Sequence, residues 1–172
     1  TRLESKPYAD LTVDVLRRFG ADIEVSANGG IANGGIADGD IYSVNGSISI
    51  KPRDFTVEGD CSQAAFFAAA AAVNGDVLIR GINPATLQGD FKLFKVISRF
   101  GAKVGFGGEG VRVCRGGLHG CEIDASDIPD LVPALAVTAA YADGETRIYN
   151  AARLRLKESD RISSTTSMLR SL

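Results

Sequence analysis

A short block of sequence occurs twice in this chain, as ADLTVDVLRRFGADIEV at residues 9–25 and as DFKLFKVISRFGAKVGF at residues 90–106. In each block, apolar residues recur at three- and four-residue intervals, which is the spacing of an amphipathic helix. They are Leu11, Val15, Leu16 and Phe19 in the first block and Leu93, Phe94, Ile97 and Phe100 in the second. Gly20 and Gly101 follow where a left-handed residue ends a helix, and the alternating residues after them predict strands. The repeated unit is therefore a helix, a glycine and a strand.

Two other segments are apolar nearly all round, as expected for helices buried inside a domain. They are SQAAFFAAAAAV at residues 62–73 and DLVPALAVTAAYA at residues 130–142, and each leads through a glycine turn into a predicted strand. A third amphipathic helix is predicted to begin at residue 158. This alternation of buried helix, strand, amphipathic helix and strand predicts an α/β fold whose sheets are covered by helices.

Composition and charge exclude several classes of protein. The chain has 172 residues, of which 45% are hydrophobic and 23% charged, as in a folded globular protein. Nineteen basic and 21 acidic residues give a net charge of −2, which argues against a nucleic-acid partner. The longest apolar stretch, at residues 64–73, is shorter than the roughly 20 residues that a membrane-spanning helix needs. We expect neither a nucleic-acid nor a membrane partner.

The three cysteines, Cys61, Cys114 and Cys121, are odd in number and lack the paired spacing of zinc or redox sites. We expect reduced thiols in a cytoplasmic protein, with Cys61 as a core residue and with no metal or cofactor. His119 has no partner at ligand spacing and is expected in an exposed turn.

A low-complexity stretch, NGGIANGGIADGDIYSVNG at residues 28–46, is rich in turn-forming Asn, Asp and Gly. It predicts a hairpin tip or surface loop, because its glycines lack the lysine and helix start of a phosphate loop. A strand is predicted at residues 55–57, with a domain boundary close by. The chain lacks an initial methionine and ends inside a helical pattern, so we expect it to be truncated at both ends.

Charge is concentrated in RLRLKESDR at residues 153–161. If a helix begins near Lys157, then Lys157 and Arg161 share one face at the end where the helix dipole is already positive. That placement favours a phosphate or carboxylate held between two cations and exposed helix N–H groups. Alternatively, Glu158 and Asp160 cap the dipole and pair with the bases in a solvated cluster. The charge pattern alone favours this second interpretation.

Other acidic residues have two interpretations as well. Asp130 lies at the predicted start of the second buried helix, where an aspartate is usually an N-cap. It could instead accept a proton or hydrogen bond from a substrate hydroxyl. Asp60 and Asp90 fit helix caps. Ser5 precedes the first helix as a cap or as an oxyanion ligand.

Five short strings resemble, in order and spacing, the 5-enolpyruvylshikimate-3-phosphate (EPSP) synthase family. They are SKPY (5–8), VEGD (57–60), QGD (88–90), IPD (128–130) and LKESDR (156–161). The resemblance implies the enolpyruvyl transferase fold, an inside-out α/β barrel of repeated helix–strand units in two domains with a cleft between them. Residues 1–56 would be the last unit of one domain, including the glycine-rich loop. Residues 57–172 would be the first one and a half units of the other.

The resemblance also implies an activity and the residues that carry it. The family transfers the enolpyruvyl (carboxyvinyl) group of phosphoenolpyruvate to the 5-hydroxyl of shikimate 3-phosphate and releases phosphate, in aromatic amino-acid biosynthesis. Asp130 matches the residue that contacts the shikimate hydroxyls and accepts a proton, and Lys157 matches a lysine beside the reacting hydroxyl. Glu158 matches a glutamate that passes a proton to the methylene carbon, and Arg161 matches a ligand of phosphoenolpyruvate.

Two further positions, Ser5 and Tyr8, match residues that hold shikimate 3-phosphate. Arg153 stands where some members carry a substrate-binding asparagine, so it receives no role. Other substrate-binding groups of the family have no counterpart in this sequence. We therefore expect the chain alone to be inactive. We also expect it to self-associate through exposed sheet edges, although the parent enzyme would be a monomer.

Two alternative functions stay open. UDP-N-acetylglucosamine enolpyruvyl transferase shares the fold and the donor, but it should show an I-P-D-R-I-E pattern, whereas residues 128–133 read IPDLVP. The other alternative is a noncatalytic repeat module that binds an anion or a protein partner.

Overall fold

A computed structural model describes residues 6–26, 31–32, 35–36, 40–46 and 49–171. The chain divides into two compact units, Thr1–Val57 and Glu58–Leu172. In these described ranges, no helix combines the length and apolar character needed to cross a bilayer.

The described residues of the first unit form one helix and two antiparallel strand pairs. Helix α1 is Lys6–Arg18, and the strands are β1 (Ile23–Ser26), β2 (Ile31–Ala32), β3 (Gly35–Ile36) and β4 (Ile41–Val44). Strand β1 pairs with β4, and β2 pairs with β3. Within the stretch 28–46, the structure thus has the paired strands β2 and β3 and the strand β4. Residues 28–30, 33–34 and 37–39 of the predicted hairpin or loop lie outside the described ranges.

The predicted helix, glycine and strand are confirmed in this unit, and Gly20 has a φ of +96°. The predicted apolar stripe is wrong in detail. Val13 is buried with Ala21 and Ile23, whereas 39% of Leu16 is exposed. Helix α1 thus turns its Val13 side toward β1 and leaves Leu16 at the edge of a small core.

The strand predicted at residues 55–57 is wrong. Residues 51–60 form neither helix nor strand. The Phe55 ring lies 5.9 Å from the ring of Phe19, and the Arg53 guanidinium donates a 2.7 Å hydrogen bond to the carbonyl of Arg18. This segment therefore packs against the end of α1 through its side chains, and Val57 is 81% exposed.

The second unit alternates helices and strands as predicted. Its helices are α2 (Cys61–Asn74), α3 (Lys92–Arg99), α4 (Val132–Ala140) and α5 (Arg161–Arg170). Its strands are β5 (Asp76–Ile79), β6 (Lys103–Gly107), β7 (Gly110–Cys114), β8 (Glu122–Asp124) and β9 (Arg147–Tyr149). Three 3₁₀ turns, at Gly89–Phe91, Pro129–Leu131 and Ala152–Leu156, precede or connect these elements.

Strands in the second unit form two sheets. Strand β7 lies between β5 and β6, antiparallel to both, so that Val113 is opposite Val77 on one side and Val104 on the other. Strands β8 and β9 are parallel, as expected for strands joined by a helical crossover. The connection contains α4.

The core of the second unit surrounds the alanine-rich helix α2. Its small residues let α3, α4 and the three-stranded sheet approach closely. The apolar stripe predicted for α3 is confirmed, because Leu93, Phe94, Ile97 and Phe100 are all buried. The all-round burial predicted for α2 is wrong in this unit. Its neighbours cover one side, and Phe66 and Phe67 are 54% and 62% exposed.

The three cysteines are free, and Cys61 is fully buried as predicted. Burial, together with the nearby carboxylates of Glu58, Asp90 and Asp60, raises the pKa of the Cys61 thiol to about 12. Cys61 is therefore a protonated core residue at neutral pH.

Gly101 ends α3 in the left-handed conformation, with a φ of +106°. A Cβ atom at this position would lie 2.2 Å from the carbonyl oxygen of Gly117. A side chain is excluded here both by backbone conformation and by space, which explains the glycine in this copy of the R-F-G-A string.

Leu93→Ala should lower the free energy of unfolding by about 2–5 kcal/mol, because it removes a fully buried side chain from the packed core. Leu156→Ala is the matched control, since that leucine is 86% exposed, and its effect should stay within about 0.5 kcal/mol. Urea denaturation of the two variants measures both values. Equal effects would show that α3 does not anchor the core.

Candidate functional site

A polar pocket of about 440 Å³ lies in the second unit, at the first turns of α2 and α4 and the segment before α5. It is lined by Asp60, Ser62, Gln63, Phe66, Asp130, Pro133, Lys157, Glu158 and Arg161. Helices α2 and α4 pack against each other, and the first turns of both reach the pocket. The volume is within the range of small-molecule sites.

Asp130 is the central carboxylate of this pocket. Its Oδ1 lies 2.5 Å from Nη1 of Arg161 and 3.1 Å from Nζ of Lys157. The three side chains are only 24–29% exposed, so their mutual attraction is less screened than at an open surface. They form an ion triad that joins residues about thirty positions apart in sequence.

Buried neighbours place Asp130 in the pocket. Pro129 and Leu131 flank it in the 3₁₀ turn and are both buried. Leu131 occupies the N-cap position of α4, so the predicted capping role of Asp130 in that helix is wrong. Because the turn directs the two apolar side chains into the core, the carboxylate between them points to the polar side.

A second apolar anchor places Lys157. Leu154 lies in the 3₁₀ turn Ala152–Leu156, is fully buried, and packs with Ala125 and Val132. Lys157 follows in extended conformation, with φ −77° and ψ −174°. The prediction that a helix begins near Lys157 is therefore wrong, because α5 begins at Arg161.

Asp160 explains where α5 starts. Its Oδ1 accepts hydrogen bonds of 3.0 Å from the N–H groups of Ile162 and Ser163, and its Oδ2 accepts one of 2.8 Å from Arg155. The capping and pairing predicted for Asp160 are confirmed. The N–H groups of Ile162 and Ser163 are thus already occupied and are not available to the anion predicted at this helix start. The cationic side chains of Lys157 and Arg161 are the groups that could bind one.

Glu158 lies at the rim of the pocket. It is 82% exposed, and its Oε2 accepts a 3.0 Å hydrogen bond from Nη2 of Arg161. Arg161 therefore bridges the half-buried Asp130 and the exposed Glu158. A hydrogen bond from its own backbone N–H and the contact with Arg161 hold the pKa of Glu158 below its ordinary value.

Opposing influences act on Asp130. Partial burial raises the pKa of this carboxyl, but the hydrogen bonds and charges of Lys157 and Arg161 outweigh burial and hold the pKa below its ordinary value. Asp130 is therefore ionised at neutral pH and offers acceptor oxygens only.

The structure brings four predicted site residues together, namely Asp130, Lys157, Glu158 and Arg161. Tyr8 lies on α1 of the first unit and is 39% exposed. Ser5 falls outside the described residues. Arg153 is exposed in the 3₁₀ turn before Lys157.

Sequence reasoning missed the α2 side of the pocket. Asp60 was expected only as a cap, which is confirmed by the 2.8 Å hydrogen bond to its Oδ1 from the N–H of Ser62. No sequence pattern predicts a site role for Ser62, Gln63 or Phe66. One signal was available: two similar apolar helices that occupy equivalent places in a repeat should pack side by side, which brings their first turns together.

No cluster of metal-ligating side chains occurs among the residues that the structure describes. The pocket instead combines two cations with carboxylates of different exposure. This arrangement can bind an anion, accept hydrogen bonds from hydroxyls, and transfer protons at a carboxylate.

Comparison with known proteins gives consistent matches. The family model for EPSP synthase (3-phosphoshikimate 1-carboxyvinyltransferase) matches residues 1–172. The 3-phosphoshikimate 1-carboxyvinyltransferase of Methanocorpusculum labreanum is 40% identical over all of the chain, which covers 38% of that protein. The enzyme of that name from Clostridium acetobutylicum is 38% identical, again over all of the chain and 37% of that protein. The chain thus spans well under half the length of these curated relatives.

Solved structures agree with the sequence matches. EPSP synthase from Acinetobacter baumannii aligns with a TM-score of 0.64 and 28% identity, over 91% of this chain and 35% of that one. The enolpyruvyl transferase NikO from Streptomyces tendae aligns with a TM-score of 0.58 and 22% identity, over 85% of this chain and 33% of that one. The predicted enolpyruvyl transferase α/β fold is confirmed.

Asp130→Asn should lower the free energy of unfolding at pH 7 by roughly 1 kcal/mol, because it leaves two cations close together without their carboxylate. The pKa of Asp130 is lowered in the folded state, so the unfolded chain binds more protons as the pH falls. The difference in free energy of unfolding between wild type and variant should therefore shrink as the pH falls below about 4, the ordinary pKa of an aspartate.

Urea denaturation between pH 3 and pH 7 measures this difference, with Glu158→Gln as a control that should have a smaller effect because Glu158 is exposed. A difference for Asp130→Asn that stays constant over this pH range would contradict the ion triad.

Proposed function

Because the chain belongs to the EPSP synthase family, we propose that its pocket is part of the site of enolpyruvyl transfer. The enolpyruvyl group of phosphoenolpyruvate would pass to the 5-hydroxyl of shikimate 3-phosphate, with release of phosphate. The names of the curated relatives support this reaction. The observation that carries the proposal is the convergence of Lys157 and Arg161 on Asp130 in one pocket, with Glu158 at its rim.

Phosphoenolpyruvate carries a phosphate and a carboxylate, and the cationic side of the pocket suits such a ligand. Arg161 offers a planar fork for bidentate contact, and Lys157 offers a compact point charge. Both contact a carboxylate oxygen of Asp130, and all three residues line the pocket. The incoming anion would share or replace these contacts.

Replacement of these contacts would change the basicity of Asp130. Its pKa is held low by the two cations, so a ligand that draws them away raises the proton affinity of the carboxylate. Asp130 would thus become a better acceptor for the hydroxyl proton of shikimate 3-phosphate when the donor is bound. Lys157 would stay beside the reacting hydroxyl and stabilise the oxygen as it loses its proton.

Glu158 would supply the proton that the methylene carbon of phosphoenolpyruvate must gain. Its contact with Arg161 favours the ionised form, and binding of the donor to Arg161 would weaken that contact. The neighbouring anion would also favour a protonated carboxyl. When phosphate leaves the addition product, the same carbon must give back a proton. One carboxyl can therefore donate the proton in the first step and accept it in the second.

The first unit would contribute to shikimate 3-phosphate binding through Ser5 and Tyr8. Residues 1–56 would be the last repeat unit of one domain, and residues 57–172 the first one and a half units of the other. These assignments are supported by the family match over the whole chain.

Arg161→Ala, tested in the protein at its natural length, should weaken phosphoenolpyruvate binding by about tenfold or more, because a charged hydrogen-bond donor is lost. Arg155→Ala is the matched control. Arg155 contacts Asp160 outside the lining of the pocket, so its replacement should change the affinity by less than about twofold. Isothermal titration calorimetry measures both, and equal affinities for the two variants would contradict the proposed role of Arg161.

Glu158→Gln should preserve the affinity for both substrates and lower kcat by about a hundredfold or more, since the amide cannot transfer a proton. A coupled phosphate-release assay gives kcat, and calorimetry gives the affinities. Full turnover in this variant would exclude Glu158 as the proton donor.

A further inference from the structure

The first turn of α2 forms one wall of the pocket, and the N–H groups of its first three residues already have acceptors. The N–H of Cys61 donates to Oε1 of Gln88 at 2.8 Å. The N–H groups of Ser62 and Gln63 donate to Oδ1 of Asp60 at 2.8 and 3.3 Å, and the N–H of Ala64 donates to the carbonyl of Asp60. Cys61, Ser62 and Gln63 are the first three residues of the helix, whose N–H groups have no partner within it. These three donors are therefore not available to an anion.

The hydroxyl oxygen of Ser62 can accept a hydrogen bond from a ligand in the pocket. A serine hydroxyl has one proton and two lone pairs, and the proton of Ser62 is donated to Oδ2 of Asp90. Asp90 is only 2% exposed, so this contact lies in the core. With its proton directed inward, the Ser62 oxygen can only accept hydrogen bonds from a ligand.

Two of the short strings in the sequence, VEGD and QGD, hold this wall of the pocket from its far side. Gln88 Nε2 donates to Oε1 of Glu58 at 2.8 Å and to the carbonyl of Gly59 at 2.9 Å. Gly59 itself lies so close to Gly81 that a Cβ atom would meet the Gly81 carbonyl oxygen at 2.9 Å. The two strings thus bind each other and hold the start of α2 in place.

The two sides of the pocket therefore differ in charge and in hydrogen-bonding groups. Lys157 and Arg161 supply positive charge on one side, and Asp60 and Ser62 supply acceptor oxygens on the other. An anion is attracted by the first side and repelled by the carboxylate of the second. A ligand hydroxyl needs an acceptor for its proton, and the second side provides one.

We infer that Ser62, oriented by the buried Asp90, accepts a hydrogen bond from a ring hydroxyl of the alcohol substrate. This role rests on the proposed function, because it needs a polyol in the same pocket as the anionic donor. Ser62 is then a binding residue that selects the alcohol, and Asp90 and Gln88 are positioning residues that act through it.

Ser62→Ala in the protein at its natural length should weaken binding of shikimate 3-phosphate by about threefold to tenfold, the loss of one hydrogen bond. Phosphoenolpyruvate affinity should change by less than about twofold, since the cationic side is intact. Ser62→Thr keeps the hydroxyl and should restore binding. Ser98→Ala, an exposed serine of α3 outside the pocket lining, is the matched control.

Deoxy analogues of shikimate 3-phosphate, each lacking one ring hydroxyl, test the contact without relying on one variant. Wild type should lose affinity for one analogue, and Ser62→Ala should bind that analogue and shikimate 3-phosphate equally. The inference is overturned if wild type binds every analogue as tightly as the parent compound, or if Ser62→Ala keeps full affinity. If Arg161→Ala weakens phosphoenolpyruvate binding but Ser62→Ala leaves the affinity for shikimate 3-phosphate unchanged, this inference alone is overturned. Phosphoenolpyruvate binding that does not depend on Arg161 would overturn the proposed function.

Discussion

The contact of one carboxylate with two cations, Asp130 with Lys157 and Arg161, determines the form of the candidate site. Two of the three partners are placed by apolar neighbours: Leu131 fixes the turn that carries Asp130, and Leu154 fixes the segment that leads to Lys157. The contact is half-buried, so it is stronger than a surface ion pair but still reachable by a small ligand. A site of this kind keeps two cations close together without a ligand, and under the proposed function their counterion would be exchanged for a substrate anion.

The rest of the pocket follows from the packing of two similar apolar helices. Because α2 and α4 lie side by side, the first turn of each borders the same space. Their starts differ, however. The start of α2 uses Asp60 as a cap and has its amide donors occupied, whereas the 3₁₀ turn before α4 leaves Asp130 directed toward the cations. A repeated architecture thus supplies two chemically different walls.

The sequence predicted the repeated elements well and the ends of helices less well. The stripe of Leu93, Phe94, Ile97 and Phe100 was correct because helical periodicity and burial agree in a large core. In α1 the same reasoning selected Leu16, which is exposed, because the small core of the first unit buries only a narrow face centred on Val13. Helix α5 starts later than predicted because Lys157 is extended and Asp160 caps the helix at the N–H groups of Ile162 and Ser163.

Local strings single out four residues that line the pocket, Asp130, Lys157, Glu158 and Arg161. The wall formed by Ser62 and Gln63 depends on contacts between residues far apart in sequence, which no local pattern reports. The most direct test of the account is a crystal structure of the protein at its natural length with phosphoenolpyruvate bound. The account predicts the anionic groups between Lys157 and Arg161, with the contact from Arg161 to Asp130 lengthened from 2.5 Å. Phosphoenolpyruvate bound away from both cations, with that contact unchanged, would contradict it.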